Sequence, residues 1–250
     1  MHTLSSGVVL VLALAVGISA RAQAFGVDFF DCTEFAGQGP VAMAAATALV
    51  PEGFTASTTA GGQGSVVIRA TSCASIAVDR AHAMPTNISQ IGVNIVSPNG
   101  TGDINNYTNI YVSNNPFLVE AFLRAGLPAQ FDPALTYEFT TDSTGAAGEL
   151  YVAAGSPFLT RYFIYGRETN PAPNSGGPFL ANWWYKVGRG KLLEQTLLPD
   201  ISFGTSSVVF YTSSSSVLGK LIGGNTFGNF SILALRGVYP GGHMDVTVGH

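Results

Sequence analysis

Short runs in which apolar and polar positions alternate recur along the chain, and turn-forming residues separate them. A two-residue period is typical of strands, and strands joined by turns rather than by regular helices favour an antiparallel sheet. The pattern therefore predicts a mainly β, α+β protein built as a β-barrel or sandwich. The predicted strands cover residues 65–70, 89–96, 104–112, 135–140, 148–153, 160–165, 179–187, 192–198, 206–212, 230–235 and 244–248.

Two or three short helices are expected to plug or flank this sheet. Segments 40–50, 116–125 and 216–222 each carry helical composition and a stop signal. The second is the best defined, because Asn115 can cap its N-terminus, Pro116 suits the first helical position and Gly126 can end it. No linker divides the chain, so residues 25–250 are expected to form a single β-rich domain.

The predicted strand at 104–112 leaves open which of its faces lies inside. The row that contains Asn106 is the more apolar and would normally face a core, but Asn106 begins a glycosylation sequon. A glycan there would turn that row outward, and Asp103, Asn105 and Tyr107 would face an interior. Otherwise these three side chains are solvent-exposed. A bulge at Asn105 and Asn106 would reconcile the two interpretations.

Residues 1–24 have the form of a signal peptide. An apolar run at 8–16 precedes Ala22-Gln23-Ala24, which fits a signal-peptidase site, although the charged N-terminal region is missing. A membrane anchor is the alternative, but the run is shorter than the roughly 20 apolar residues that a bilayer requires. No later segment is apolar for long enough to cross a membrane. The chain is therefore expected in the secretory-pathway lumen or outside the cell.

The cysteines and the glycosylation sequons are consistent with a secretory location. Cys32 and Cys73 are the only cysteines, and an oxidising route favours a disulfide between them over two buried thiols. Glycosylation sequons, some of which arise by chance in such a composition, predict a glycoprotein. They begin at Asn87, Asn99, Asn106 and Asn229.

Charge and motifs exclude several classes of function. Only 10% of residues are charged, the net charge is −4, and the 11 Lys and Arg residues are scattered, so no nucleic-acid partner is predicted. The histidines lack metal-ligand spacing, and neither a nucleophile elbow nor a phosphate-binding loop with its lysine occurs. We therefore expect no metal and no cofactor. An apolar small molecule is the expected partner.

Aromatic and polar positions on predicted strands supply the candidate binding residues. Trp183 and Trp184 are adjacent and must point to opposite faces, one into a core or pocket and one beneath a helix or at an edge; plain packing is the alternative. Residues 161–167 alternate arginine with aromatic rings. This face is either a solvated strand surface or a set of donors for a substrate carbonyl or enol. Substrate contacts are assigned to Asn105, Tyr165, Asn182, Trp183 and Trp184.

Two segments resemble the acetoacetate decarboxylase-like fold. They are "ALVPEGF" at 48–54 and "IYVSNNPFLVEAFLRAGLPAQ" at 110–130. The resemblance implies a closed β-barrel around an apolar pocket, with a Schiff-base lysine in a Gly-aromatic-Pro-Lys segment. Here that segment reads Gly126-Leu127-Pro128-Ala129. Because the lysine is missing, the resemblance does not extend to decarboxylation through an imine.

In overall character the chain also resembles the fungal secretory hetero-Diels-Alderases of tropolone-sesquiterpenoid biosynthesis. Signal peptide, sequons, two cysteines, low charge and β-rich composition carry this resemblance. It implies a cofactor-free cyclisation that joins a tropolone quinone methide to a humulene-type terpene in a water-excluding pocket. Lys186, Arg167 or Tyr107 would polarise the tropolone oxygens, and Asp103 or His243 would assist loss of water.

Rival functions remain. The chain is alternatively a non-catalytic carrier of hydrophobic molecules, a secreted decarboxylase-like enzyme, or a surface protein with a packed interior. The enzyme and the carrier both require a cavity of about 300 Å³ or more.

Overall fold

A computed structural model describes residues 22–155 and 161–249. Residues 1–21, most of the predicted signal peptide, and Thr160, the start of one predicted strand, lie outside this range. The first described strand already includes Ala22–Ala24, so cleavage before Phe25 would shorten it by its first residues.

The chain forms thirteen strands and three helices within the described residues. The helices are α1 (Met43–Ala48), α2 (Pro116–Ala125) and α3 (Val217–Ile222). The strands are β1 (Ala22–Val41), β2 (Gly64–Val78), β3 (Ala81–Asn94), β4 (Ile104–Ser113), β5 (Gln130–Phe131), β6 (Thr136–Thr141), β7 (Ala147–Ala154), β8 (Tyr162–Thr169), β9 (Gly177–Val187), β10 (Gly190–Phe203), β11 (Ser206–Thr212), β12 (Thr226–Phe227) and β13 (Leu233–Gly249).

Seven strands close into a barrel. Their order is β3-β2-β1-β13-β10-β9-β4, and pairing of β4 with β3 completes the ring. All neighbours are antiparallel except β4 and β9, and the short β5 lies parallel to β4 outside the ring. A second sheet, ordered β12-β11-β8-β7-β6, flanks the barrel. The predicted mainly β barrel with short helices is confirmed.

The flanking sheet covers one side of the barrel. Its buried side chains, among them Ile164 and Phe210, share an apolar cluster with outward-facing Phe35, Ile68 and Ile91 of the barrel. The strands β1, β2 and β3 are therefore buried on both faces. Such strands lose the simple alternation of apolar and polar residues.

Helix α2 fills one end of the barrel. Its Leu118 and Phe122 pack with Phe25 and Met244, which come from β1 and β13. The predicted cap is confirmed, because Asn115 accepts hydrogen bonds from the backbone N–H groups of Phe117 and Leu118, and Gly126 ends the helix with φ 98°.

The predicted disulfide is confirmed. Cys32 and Cys73 face each other on the paired strands β1 and β2, and their sulfurs are bonded. Both are buried in the cluster that includes α2. A disulfide of this kind is typical of an oxidising compartment.

Several predicted boundaries were wrong. The long strand β1 was not predicted, and the two strands expected after residue 229 are one strand, β13. The helix expected at 40–50 is restricted to Met43–Ala48, because Pro40 and Val41 pair with β2. Residues buried on both faces, and irregular backbone such as Asp31 with φ 49°, obscure the period of β1.

A bulge in β4 determines which of its residues face inward. Ile91 and Gly92 of β3 pair with Ile110 and Thr108, so Asn109 is left over. Before the bulge Asn106 points inward, and after it Ile110 points outward toward the flanking sheet. The irregularity therefore lies at Asn109 rather than at Asn105 and Asn106.

The structure contradicts the predicted glycan at Asn106. The Asn106 side chain is fully buried and lines the barrel interior, so no sugar fits there in the folded protein. Asn87 is half-buried and its amide donates to the Leu135 carbonyl oxygen. Asn99 and Asn229 are exposed. They are the sequons that the fold leaves accessible.

Within residues 22–155 and 161–249, no helix has the length and apolarity to traverse a bilayer. The same residues contain no cluster of His, Cys, Asp and Glu suited to a metal ion.

Candidate active site in the barrel

A buried ion pair lies in the middle of the barrel. The Arg69 guanidinium donates through Nη2 to Glu34 Oε2 at 2.7 Å, and both residues are less than 10% exposed. Glu34 Oε2 also accepts from the hydroxyls of Thr71 at 2.8 Å and Tyr239 at 3.3 Å. Strands β1, β2 and β13 thus supply a charged group whose polar atoms are largely satisfied, as burial of a charge requires.

A second carboxyl group lies nearby on β10. The Gln90 amide donates to both carboxyl oxygens of Glu194, at 3.2 and 3.1 Å, and also to the Thr108 hydroxyl at 2.9 Å. Glu194 and Gln90 are each 1% exposed. Within the described chain Gln90 Oε1 and the Tyr111 hydroxyl beside this group have no hydrogen-bond partner.

Burial controls the protonation of this polar layer. Loss of solvent raises the pKa of Glu194 to about 8, although Gln90 and the positive charge of Arg69 partly oppose the rise. Burial also raises the pKa of Tyr111 and of Tyr239 well above the usual phenol value. At neutral pH Glu194 is mostly protonated. It can give a proton and take it back.

A small cavity of about 50 Å³ adjoins the ion pair. Apolar side chains form most of its wall, and Glu34 and Arg69 form part of one side. Three buried polar atoms on this wall lack a hydrogen-bond partner among the residues described: Arg69 Nε, Asn106 Nδ2 and Thr196 Oγ1. Buried polar atoms are normally paired. Two N–H donors and a hydroxyl are therefore available to an oxygen-bearing ligand.

A surface depression of about 420 Å³ lies next to this cavity. Ile104, Phe179 and Leu233 line both spaces and separate them. All three side chains are only partly buried. Rotation of these side chains would join the cavity to the surface at the end of the barrel opposite α2.

Known structures share this architecture. An acetoacetate decarboxylase has a TM-score of 0.58 at 10% identity, with 93% of this chain and 90% of that chain covered. An acetoacetate decarboxylase-like enzyme from Sphingomonas wittichii RW1 has a TM-score of 0.56 at 10% identity, with coverage of 98% and 100%. The enduracididine biosynthesis enzyme MppR, complexed with pyruvate, has a TM-score of 0.54 at 11% identity, with coverage of 95% and 92%.

The fold is that of an acetoacetate decarboxylase-like barrel. The resemblance in fold expected from residues 48–54 and 110–130 is thereby confirmed. At these identities the likeness shows the fold alone. No protein-family model and no curated protein sequence matches the chain.

The interior of this barrel has no lysine. The chain contains Lys186, Lys191 and Lys220; the first and third are exposed, and Lys191 lies over the Phe54 ring on the outer surface. Ala129, at the position where the resemblance would put the Schiff-base lysine, is buried in the apolar cluster around α2. The side chains present cannot form an imine in the cavity.

Of the residues assigned to substrate contact, Trp183 lies at the cavity. Its neighbour Trp184 points to the opposite face and packs with Tyr107 and Phe54 outside the barrel. Asn105 lies on that outer face, where it accepts from Trp184 Nε1 at 3.0 Å and from Asn182 at 3.2 Å. These amides organise the β4–β9 pairing rather than the cavity, and Asn105 also lines the surface depression next to the cavity.

The remaining candidates lie at separate places outside the cavity. Burial beneath Phe54 raises the pKa of Tyr107 to about 12 on the outer face. Asp103 accepts from the Leu180 N–H at 2.7 Å and lines the surface depression next to the cavity. Lys186 is exposed elsewhere and donates to the Glu52 carbonyl oxygen at 3.2 Å. The structure does not bring these groups together.

Arg167, Tyr165 and His243 also lie away from the cavity. Arg167 and Tyr165 belong to the exposed face of the flanking sheet, where Arg167 pairs with Asp142 at 2.5 Å. His243 lies half-exposed on β13; its contact with Asp28, at 2.6 Å, and a second carboxylate raise its pKa.

The residues that do meet in the barrel were missed by reasoning from the sequence. Arg69 lies within the apolar run 65–70, and Glu194 within 192–198. In a chain with only 10% charged residues, a charge in the middle of an apolar strand was the available signal. For Glu34 the indication of an inward-facing position was weaker, because β1 was not recognised as a strand.

Proposed function

We propose that this chain is an enzyme whose active site is the barrel interior and whose substrate is an apolar molecule that carries at least one oxygen. The observation that carries the proposal is the set of unpartnered polar atoms on residues of the cavity wall. Glu194, whose pKa burial raises to about 8, does not line the cavity but lies within electrostatic reach of Arg69. A strongly shifted pKa within a sheltered site is typical of catalytic groups.

Arg69 is the proposed oxygen-binding group. Glu34 fixes the guanidinium through Nη2, and the Arg69 Nε–H stays unpartnered on a residue of the cavity wall, which also includes Asn106. Hydrogen-bond donors that the protein holds in fixed positions, away from water, stabilise the charge that develops on a substrate oxygen. Because Glu34 balances the charge of Arg69, the site has no net charge to attract an anion. A neutral substrate whose carbonyl or enol oxygen is polarised in the transition state therefore fits it best.

Glu194 is the proposed general acid and base. In its protonated form it would give its proton to a departing substrate hydroxyl, which leaves as water. The resulting carboxylate would then take up the proton that the substrate's enol or phenol O–H loses as the heterodiene forms. The nearby Arg69 charge stabilises the carboxylate during that interval. This chemistry uses neither an imine nor a nucleophilic side chain.

The reaction we propose is a cofactor-free cyclisation of hetero-Diels-Alder type on a polyketide or terpenoid substrate. Loss of water would create a reactive heterodiene such as a quinone methide, and addition of an alkene would then form one C–O and one C–C bond. The barrel would hold the heterodiene and the alkene in a reactive orientation and exclude water. Aromatic Trp183 and Phe179 would contact their apolar faces.

Substrates of this size need more room than the closed cavity offers. Small-molecule sites typically have volumes of about 300–1,000 Å³, whereas this cavity has about 50 Å³. We propose that Ile104, Phe179 and Leu233 move apart on binding, so that cavity and depression form one site. The depression alone has about 420 Å³.

A product assay tests this function. The purified protein is incubated with a tropolone quinone-methide precursor and humulene, and the yield and stereoisomers of the adduct are measured. We expect a raised yield of one isomer, and loss of roughly 10²–10⁴-fold in rate for Glu194→Gln. The matched control is Glu138→Gln, an exposed glutamate on β6. Products identical to those in buffer would contradict catalysis of this reaction.

Two alternatives give different results. A carrier of hydrophobic molecules would bind humulene equally well with Glu194→Gln and would form no product. A decarboxylase-like enzyme would release CO₂ from a β-keto acid such as acetoacetate, the substrate named for one structural neighbour. With the chain's lysines outside the cavity, that reaction would be insensitive to borohydride trapping.

We further propose that residues 1–24 are a signal peptide, that 25–250 form one domain, and that the mature protein is secreted or resides in the secretory lumen. The Cys32–Cys73 disulfide supports an oxidising compartment. N-terminal sequencing of the secreted protein would test the cleavage site. A start at Met1 would contradict it.

A further inference from the structure

The outer face of the flanking sheet exposes large aromatic side chains that core packing does not require. Tyr151, Phe163 and Tyr165 are each more than 40% exposed. The opposite face of the same strands, with Tyr162 and Ile164, is already fully buried against the barrel. A solvated strand face normally carries polar or charged residues. Contiguous exposed aromatic surface is typical of binding sites.

Strand register places these rings side by side. Tyr151 of β7 lies opposite Tyr165 of β8, and Phe163 of β8 lies opposite Tyr211 of β11. The Tyr165 and Tyr211 rings are parallel with centroids 5.3 Å apart, and Tyr151 and Phe163 lie 6.3 Å apart. Four rings on three adjacent strands thus form one surface, which we call the outer aromatic groove.

The groove is large enough for a ligand and is distinct from the barrel site. It has a volume of about 700 Å³, within the range of about 300–1,000 Å³ that is typical of small-molecule sites. Hydroxyl-bearing residues after β11, including Ser213, also line it, together with Arg161. The barrel cavity and the groove share no lining residue.

The groove's chemistry restricts its ligand. Among the described residues that line it none is acidic and one, Arg161, is basic, so a polyanion such as a nucleic acid would find little charge to pair with. The Tyr165 and Tyr211 hydroxyls bond to each other and Ser213 bonds to Ser215, but each hydroxyl can make a further hydrogen bond that a purely apolar ligand would not use. The matching ligand offers apolar C–H faces to the rings and neutral hydroxyls to these hydroxyl groups.

We propose that the outer aromatic groove binds a neutral oligosaccharide. Sugar rings present C–H groups on their faces and hydroxyls around their edges, which is the distribution that the groove complements. The Tyr165 and Tyr211 hydroxyls lie 3.1 Å apart and can together meet one ligand hydroxyl. This interaction is separate from catalysis and would attach the protein to a glycan while the barrel remains free.

Calorimetric titration tests the proposal. The full chain is titrated with cellohexaose, laminarihexaose and chitohexaose, and with a released high-mannose N-glycan, which separates polysaccharide from glycoprotein sources. We expect at least one to bind, and Tyr165→Ala to raise its Kd about tenfold or more. The matched control is Phe131→Ala, an aromatic residue on β5 that is similarly exposed but lies outside the groove. It should leave the Kd unchanged.

Circular dichroism establishes that each variant is folded before titration. Equal affinity of Tyr165→Ala and the native chain would overturn the assignment of the groove, and no binding of any of the four glycans would overturn the proposal. Sedimentation provides a further decisive outcome. If the native chain self-associates and Tyr165→Ala does not, the groove binds a second copy and the saccharide assignment is wrong. Glu194→Gln should bind the glycan normally.

Discussion

Replacement of Glu194 by glutamine should make the stability of the protein less dependent on pH. The folded protein holds the Glu194 proton up to a pKa of about 8, whereas an exposed glutamate releases it near 4.5. Between these values the unfolded chain has lost the proton and the folded chain retains it, or loses it at the cost of a buried charge. The contribution of Glu194 to stability is therefore most favourable below pH 4.5 and declines as the pH rises toward 8.

The magnitude follows from the width of that interval. At about 1.4 kcal/mol per pKa unit, ionisation of Glu194 lowers the free energy of unfolding by roughly 5 kcal/mol above pH 8. Most of this change, roughly 4 kcal/mol, falls between pH 5 and pH 9. Glutamine keeps an oxygen that can accept from Gln90, and it does not titrate. The stability of Glu194→Gln relative to the native protein should rise by that amount over the same interval.

Urea unfolding monitored by tryptophan fluorescence at several pH values measures this difference. Other titrating groups, such as Glu168, whose pKa burial raises to about 7, remain in both proteins and cancel in the comparison. Glu138→Gln should give a curve parallel to that of the native chain. Infrared spectroscopy at pH 6 should show a protonated-carboxyl band that Glu194→Gln lacks. Parallel stability curves for Glu194→Gln and the native chain would refute the reasoning.

Three further sets of substitutions test the structure. Cys32→Ser together with Cys73→Ser should lower the free energy of unfolding by about 2–4 kcal/mol, measured by urea denaturation, and reductant should then have no effect; unchanged stability would argue against the bridge. Arg69→Met should cost about 3–5 kcal/mol because it leaves Glu34 buried and unpaired, and adding Glu34→Leu should recover most of that loss. Two losses that simply add would contradict the pairing. Asn115→Ala should cost about 1 kcal/mol through loss of the α2 cap, with Asn115→Asp as the conservative control.

Local features of the sequence were predicted well because local forces decide them. The strands predicted at 206–212 and 179–187 recur as β11 and β9, and in β11 buried and less buried residues alternate, since its two faces have different surroundings. The cap and stop of α2 depend on a few adjacent residues, so Asn115 and Gly126 indicated both ends of the helix. In the same way, two cysteines in a chain with a predicted signal peptide admit one intramolecular pairing.

The candidate site was not predictable in the same way, because barrel closure and register decide it. One extra residue, Asn109, reverses the faces of β4, so Asn106 points into the cavity and Asn105 away from it. No periodicity within one strand reports where its partner's register changes. The sequence by itself determined a mainly β chain with a disulfide and a capped helix. Only the tertiary structure brought Glu34, Arg69 and Glu194 together, because pairing of β1 with β2 sets Glu34 beside Arg69 and closure of the sheet brings β10, with Glu194, across the interior from β2.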